Sequence, residues 1–495
     1  MAKFSNLALE KYLAVAFLLL SGCAVIRVAI PIFQHQNLND DTYITLTYAK
    51  NLAQGQGFVY NHPPATLGTT TPLFTMLVAF LANLLPWWSV IEIAILVSVA
   101  AWIGAAWIFY LILRQTGLRP ATAALAASIP LLTVQGWVGF IGMEIWLFQF
   151  LLMLSFYFSL RDKGFLAGLS VGALALTRGE GALVGLILLG YLWHRRRRLP
   201  IWFGVGAASV VAIWAVYALL TFGSVIPNTL AAKQAQARLP SGRDFAGRMF
   251  LDLLPNYLRS FGVFGLGIVN AYVILIALGF VFVLRRRSVL SLLIVWGVAY
   301  LLGYSLLNPS AYYWYVLHVV FIFQLMAGVG LAWLLALVLE DRSARSRMLV
   351  GLATTVLAVA LLYPGLTYVI FQAQDFAGDA RGTPYRAVSR WLAANTAPED
   401  SVAFIEIGYL GYFTDNRIVD LAGLTDPTVT PHIASEGFAW GFWHYQPDYY
   451  IYAEEFDWAL EEVKSAIDDY TLVFQVDRDA YPTPIYIFRR NSHID

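Results

Sequence analysis

The sequence predicts a mainly α, polytopic membrane protein carrying a small C-terminal α/β domain outside the membrane, and three observations support this. The 495 residues are 59% hydrophobic and only 13% charged, whereas a soluble domain carries about 25% charged residues. Long apolar runs recur between residues 11 and 372, most of them approaching the ~20 residues a helix needs to cross a bilayer. Beyond residue 373 the long apolar runs give way to short alternating segments with soluble-like charge density. Two units are expected: 1–373 in the membrane and 374–495 as an extracytoplasmic α/β domain.

The apolar runs lie at 11–33, 88–113, 120–135, 144–160, 164–177, 181–193, 200–222, 262–284, 288–307, 312–338 and 347–372. The pair 164–177 and 181–193 is short and reads as short or broken helices flanking a turn. Basic clusters belong on the cytoplasmic side. They are Arg114 with Arg119, Arg161 with Lys163, Arg195 to Arg198, Arg285 to Arg287, and Arg342 with Arg345 and Arg347. Counting 72–86 as a span would throw Arg114 and Arg119 outside. That segment is therefore expected to lie on the outer surface or to be partly re-entrant. About 11 spans then satisfy every cluster, with a cytoplasmic N-terminus and an external C-terminus in the cell inner (plasma) membrane. This topology gathers the Asp40–Asp41 loop, the turns at 135–144, 178–181 and 308–312, and the 223–261 loop on one external face.

In the tail, 401–407, 416–421 and 471–476 read as strands, and 385–395 and 454–467 as helices. Trp443, His444 and Tyr445 precede PDYYIY and are expected in a core strand rather than on an accessory carbohydrate surface. The single cysteine, Cys23, excludes an intramolecular disulfide and a cysteine-built metal site. The stretch LLLSGC looks like a lipoprotein processing site, but a small cysteine inside a spanning helix is the plainer reading. A net charge of +1 with no basic domain gives no sign of a nucleic-acid partner. Neither G-x-x-x-x-G-K-[ST] nor a well-placed G-x-G-x-x-G is present, so no nucleotide cofactor is expected. Sixteen Trp and 27 Tyr fit interfacial belts and sugar-stacking surfaces alike.

Asp40 and Asp41 open the run NDDTYITLTYAKNLAQGQGFVYN just after the first apolar segment. Tyr43, Leu46, Ala49 and Ala53 recur at helical spacing, and Gly55 and Gly57 end the helix. The two carboxylates thus stand at a helix N-terminus beside the membrane. A cap needs one Asp. Two in tandem where charge is costly point to chemistry. A carboxylate here suits a general base for an attacking hydroxyl, and a phosphate leaving group would need positive charge or a metal opposite it.

The run DDTYITLTYAKNLAQGQGFVYN resembles the first external loop of the GT-C glycosyltransferases, in particular the bacterial arabinofuranosyltransferase-like family of mycobacterial cell-wall type. GMEIWLF (142–148), LALTRGEG (174–181), FGSVIPNTLAAK (222–233) and GYFTDNRIVDLAGLTDP (411–427) resemble the same family, in order along the chain. The resemblance implies a GT-C fold with a large first external loop carrying juxtamembrane helices. It also implies inverting transfer of a sugar from a polyprenyl-phosphate donor to an extracytoplasmic glycan, lipid or protein acceptor, with membrane lipids around it. Asp40 and Asp41 match the acidic pair that supplies the base, with or without a divalent cation (Mg, Mn or Ca). Glu144, Arg178, Glu180, Asn228 and Lys233 match donor- or acceptor-binding positions, and Tyr43 and His318 are added to them. Lys233 is the expected phosphate contact as a point charge. Gly179 stands where relatives carry Pro, and LGTTTPL (67–73) replaces an acidic, aromatic stretch, so arabinose is not carried over. His35 and His62 flank the acidic loop as weaker metal candidates, and plain solvated histidines are the simpler reading. NPSAYYWYVLH (308–318) could stack a sugar or line a lipid groove, and an interfacial aromatic belt is the commoner reading.

Two other classes stay open. A lipid-linked glycan ligase or polymerase would cleave a pyrophosphate donor. A transporter or flippase would place its polar groups near the midplane and often show inverted repeats, and neither is visible here.

Overall fold

The computed structural model describes residues 2–61, 65–133, 138–239, 244–262, 265–286, 288–339, 344–373, 376, 378–460, 463, 468–476 and 483–491. The chain begins with α1 (Ala2–His35), an apolar helix that runs uninterrupted through the exposed Cys23. Two shorter helices, α2 (Asp40–Ala53) and α3 (Pro72–Leu84), precede the next long one, α4 (Val90–Gln115). Then come α5 (Pro120–Leu132), α6 (Ile145–Leu160), α7 (Gly164–Thr177), α8 (Gly181–Arg196) and α9 (Ile201–Phe222). After α10 (Asn228–Gln236), the short α11 (Phe245–Gly247) passes through a π-turn at Arg248–Leu253 into α12 (Leu254–Gly262). The helices α13 (Leu266–Arg285), α14 (Ser291–Leu307), α15 (Tyr313–Leu339) and α16 (Ala344–Thr367) complete the helical part.

Every apolar run read from the sequence is thus a helix, as the need to satisfy backbone polar groups inside a bilayer demands. Among the described residues, six are long and apolar enough to cross a membrane: Ala8–His35, Val90–Gln115, Ile201–Phe222, Leu266–Arg285, Tyr313–Leu337 and Gly351–Gln372. The others are shorter. At 13 residues α3 is only about 20 Å long, too short to cross a bilayer alone. Burial separates central from peripheral helices: 72% of the apolar window of α15 is buried, against 22% for α9. α7 packs on α9, and α13 on α15. Both seams are made of small residues, because without a hydrophobic drive between helices in lipid, close backbone approach supplies the dispersion energy. A Cβ at Gly168 would lie 2.1 Å from the Phe203 carbonyl oxygen, and one at Gly279 would lie 1.9 Å from that of Met326.

The tail holds α17 (Gly382–Asn395), β1 (Ser401–Phe404), α18 (Gly408–Phe413), β2 (Arg417–Asp420), α19 (Thr430–Glu436), α20 (Ala439–Tyr445), β3 (Tyr449–Ala453), α21 (Asp457–Leu460), β4 (Tyr470–Gln475) and β5 (Ile485–Arg490). The five strands form one sheet in the order β2-β1-β3-β5-β4. β1 runs parallel to β2 and β3, with Val402 opposite Ile418 and Tyr449, while β5 is antiparallel to β3 and β4. Three expectations need correction. The first strand stops at Phe404, so that residues 405–407 turn away from the sheet. Trp443, His444 and Tyr445 lie in α20, and the strand starts only at Tyr449, after Gln446 reverses the chain with φ 44°. The helix expected over 454–467 is a 3-10 turn at Glu454–Phe456 followed by α21, and most of the rest lies outside the described residues.

The tail is tied firmly to the helical part. Lys50 Nζ donates to the Tyr412 carbonyl at 2.7 Å, Tyr60 Oη to the Ile407 carbonyl at 2.6 Å, and Arg386 to the Gln36 carbonyl. Gly408 stands at the closest approach. A Cβ there would lie 1.9 Å from the Asp40 carbonyl oxygen. Gly408→Ala is therefore expected to destabilise the protein by about 1–3 kcal/mol through overpacking. Hydrogen exchange across α18 should rise in the variant, and unchanged exchange there would refute this account of the docking.

Candidate active site

Asn39 caps α2: its side chain accepts the Asp41 N–H at 3.1 Å. Neither Asp40 nor Asp41 is used as the cap, and their carboxylates turn to different tasks. Asp40 is 5% exposed. Its Oδ2 accepts the Gly408 N–H at 2.9 Å and its Oδ1 the Tyr409 N–H at 3.0 Å, at the start of α18. Burial pushes its carboxyl up to about 7, against the pull of those two hydrogen bonds, and neighbouring Asp41 adds to the rise. Asp41 is half-buried and lines the cavities on both sides of it. Among the described residues no donor lies within hydrogen-bond distance of its carboxylate. Burial lifts Asp41 above the ordinary aspartate range, Lys233, Arg381 and Arg178 pull it down, and Glu144 adds to the rise.

The larger cavity measures about 520 Å³ and lies between the helical part and the tail. Asp40, Asp41, Ile44, Lys233, Gln236, Arg248 and Tyr312 line one side. Glu406, Ile407, Ala422, Leu424, Phe438, Phe456 and Trp458 line the other. A smaller, polar pocket of about 40 Å³ continues from it past Asp41 and Lys233 to Thr45, Thr69, Thr70, Thr71, Glu144, Arg178 and Trp314. The threonine hydroxyls of LGTTTPL form a local chain there, Thr69 Oγ1 to Thr71 Oγ1 at 3.0 Å and Thr45 Oγ1 to Thr69 Oγ1 at 3.3 Å.

Lys233 sits in the last turn of α10, buried in an aromatic box. Its Nζ lies 4.8 Å from the ring centres of Tyr312 and Trp314 and 5.7 Å from that of Tyr315. The loop holding those rings is pinned to it by a Ser310 N–H to the Lys233 carbonyl at 2.8 Å. Among the described residues its ammonium makes no ion pair. Burial lowers its affinity for a proton, and Asp41 opposes that. A cation held by ring quadrupoles rather than a carboxylate keeps its charge available to an incoming anion.

Below this, the turn between α7 and α8 carries a buried charge network. Arg178 reaches Glu144 Oε1 through Nη1 at 2.6 Å and Glu180 Oε1 through Nε at 2.5 Å. Glu180 also accepts from Tyr304 Oη at 2.8 Å and contacts His318 Nε2 at 2.9 Å. Burial disfavours the Glu180 charge, but Arg178 and the His318 hydrogen bond outweigh it and hold the carboxyl below its usual range. With Nε2–H directed at Glu180, His318 Nδ1 is left buried without a partner. Gly179 has open space around it and no positive φ, and the Arg178 and Glu180 side chains on either side of it converge.

The sequence-derived residues therefore sort by position. Asp40, Asp41 and Lys233 line the main cavity. Glu144 and Arg178 line the small pocket, and Glu180 and His318 stand behind them. Asn228 serves the tail: its amide donates to the Gly423 carbonyl at 2.7 Å, the Leu424 carbonyl at 3.3 Å and Thr430 Oγ1 at 3.0 Å. Tyr43 is buried beneath α18, its ring 4.3 Å from that of Tyr409, its hydroxyl donating to the Gln36 carbonyl. His35 is exposed at the end of α1, and His62 lies outside the described residues. Sequence reasoning passed over Arg248, Arg381, Glu406 and Trp458. Glu406 is held by Arg381 Nη1 at 2.6 and 2.8 Å, and Arg381 is held in turn by Asp379. Burial and then Asp40 push the Glu406 carboxyl well up, while Arg381 opposes them.

A divalent cation needs several oxygen ligands. Both Asp40 oxygens already accept N–H bonds, and among the described residues no three His, Cys, Asp or Glu side chains are grouped to hold a metal.

The architecture is a GT-C fold. It resembles the crystal structure of ArnT from Cupriavidus metallidurans bound to undecaprenyl phosphate, with a TM-score of 0.61 and 16% identity over 97% of this chain and 98% of that one. The same protein in its apo state gives 0.56 and 15% over 99% and 98%. Residues 374–489 match a family described as a domain of unknown function (DUF8728). No curated protein matches the chain in sequence. These likenesses show the fold, and no match points to the arabinofuranosyltransferase-like branch.

Proposed function

We propose that this protein is an inverting glycosyltransferase that moves a sugar from a polyprenyl-phosphate donor to an acceptor outside the cytoplasm. The observation that carries the proposal is the shared wall of the two cavities, where, among the described residues, Asp41 accepts no hydrogen bond and the neighbouring Lys233 ammonium makes no ion pair. A base next to a fixed positive charge is what displacement at an anomeric carbon requires. The ArnT structure with undecaprenyl phosphate supports a polyprenyl-phosphate ligand for this fold.

In the proposed reaction the donor phosphate lies at the small pocket, against Lys233 and the threonine hydroxyls. The acceptor lies in the larger cavity. Asp41 takes the proton of the acceptor hydroxyl as its oxygen attacks the anomeric carbon. The bond from that carbon to the phosphate oxygen breaks, and its electron pair leaves with polyprenyl phosphate. Lys233 neutralises the developing charge. A single displacement inverts the anomeric centre. Asp40 does not take part in proton transfer and holds α18, and hence the tail wall of the cavity, in position.

The test is turnover by the purified chain in lipid nanodiscs, offered a panel of polyprenyl-phosphate sugars. Release of polyprenyl phosphate supports the reading. Turnover only with pyrophosphate-linked glycans would make the chain a ligase, and none with either, alongside lipid movement across the bilayer, would make it a flippase. Lys233→Met, which keeps the box filled with a flexible apolar chain, is expected to lower kcat/KM by about 100-fold. An unchanged kcat/KM would remove Lys233 from the phosphate site.

A further inference from the structure

We propose that the tail side of the large cavity is a sugar-binding acceptor subsite, built on Trp458 and Glu406, and that the acceptor is therefore a glycan. This rests on the glycosyltransferase reading for its role, but the subsite is argued from its own geometry. Trp458 is 57% exposed and lines the cavity. Its ring packs against Phe438, centroids 6.0 Å apart at 82°, while more than half of the side chain stays exposed. A large, exposed aromatic beside a cavity marks a surface that something covers. Phe456 extends the apolar wall next to it.

The same tail wall also carries a carboxylate, Glu406. Both Glu406 oxygens are gripped by Arg381, which leaves the group oriented with accepting capacity toward the cavity. A sugar ring offers an apolar C–H face and a rim of hydroxyl donors, and so matches both features at once. An acyl chain would cover Trp458 but would desolvate Glu406 without giving it a donor, which is costly. The volume, about 520 Å³, lies within the ~300–1,000 Å³ of small-molecule sites. It suffices for an acceptor ring in front of Asp41. The subsite is composed of tail residues brought over the base by the Asp40–Gly408 contact.

The experiment measures binding of a panel of two- to four-residue oligosaccharides, neutral and uronic, to the full chain in nanodiscs. A Ser/Thr-containing peptide and a soluble phospholipid headgroup are the other arms. At least one oligosaccharide is expected to bind, and Trp458→Ala and Glu406→Gln each to weaken it about tenfold. Trp443→Ala, at a tail tryptophan that is also exposed but does not line the cavity, is expected to leave binding unchanged. Absence of binding across the panel, equal binding by the Trp458 variant, or binding of peptide or headgroup instead would overturn the subsite. Hydrolytic release of polyprenyl phosphate by the unmodified chain, measured without acceptor, judges the transferase reading separately. Glycan binding lost in Trp458→Ala would support the subsite even if that release never occurred.

Discussion

Asp41→Asn is expected to lower sugar transfer by about 10²–10⁴-fold while leaving the protein folded and the donor bound. That is the range a general base contributes, and the amide is isosteric but cannot take a proton. Asp41 makes no side-chain hydrogen bond among the described residues, so the substitution breaks no structural contact. Asp40→Asn should behave differently. Its two oxygens each accept a backbone N–H of the tail, and an amide would turn an NH2 group toward one of those donors. The expected result is a lower melting temperature and faster exchange in α18, with activity falling only as far as the cavity wall loosens. A fully active Asp41 variant beside an inactive, well-folded Asp40 variant would reverse the assignment of the base. The pH profile supplies a second reading. Asp41 works as a base only when ionised, and burial raises its pKa above 3.8, so kcat/KM should fall in acid through a value above that of free aspartate. Lys233 works only when protonated, and burial lowers its pKa below 10.5, so the rate should fall again before that point. The bell is thus narrower than the ordinary values of a free aspartate and a free lysine allow.

The division of labour within Asp40–Asp41 was not legible in the sequence, and the reason is physical. Tandem acidic residues after an apolar run announce a functional loop, but which of them is tied up by hydrogen bonds depends on a partner more than 360 residues away. α18 shows the same limit. GYLGYF has a glycine at the start and another within it and no apolar helical period; it begins where the Asp40 carboxylate accepts its first two N–H groups, a cap that no local pattern reveals. The apolar runs were readable because a bilayer imposes composition on every residue of a spanning helix, whatever the neighbours. Arg178 and Glu180 were singled out through the resemblance of LALTRGEG to a family motif, and the plainer reading of an Arg–Glu pair between two short helices is the contact they make. Glu406 gave no such signal. It lies in SVAFIEI, which has the alternation of a strand, and only the early end of β1 at Phe404 turns it toward the cavity. Tyr43 and Asn228 show the converse. Their motifs pointed at substrate, and the structure finds them fastening the tail.

Arg178→Ala should be the most destabilising of these substitutions. Truncating one partner of a buried ion pair costs about 3–5 kcal/mol, because the remaining charge stays desolvated without compensation. Here one guanidinium serves two carboxylates, Glu144 and Glu180, and all three groups are nearly inaccessible. Arg178→Lys should recover only part of the loss, since an ammonium is a point charge and cannot span both acceptors as the planar fork does. The pH dependence gives the diagnostic. In the native protein the Glu180 carboxyl lies below the usual glutamate range because Arg178 and His318 favour its charge over the burial that opposes it. A depressed carboxyl adds stability above its unfolded pKa and loses it as pH falls through the folded one. Without Arg178, burial dominates and that contribution disappears. The gap in stability between native and variant protein should therefore be widest near neutrality and shrink in acid, read as melting temperature against pH in nanodiscs. A gap that stays constant with pH would assign the loss to packing of the arginine stem rather than to its charge. Replacing both carboxylates by Gln in the Arg178→Ala background should then return part of the stability, since no unpaired charge remains and the double-mutant terms of a connected network do not add.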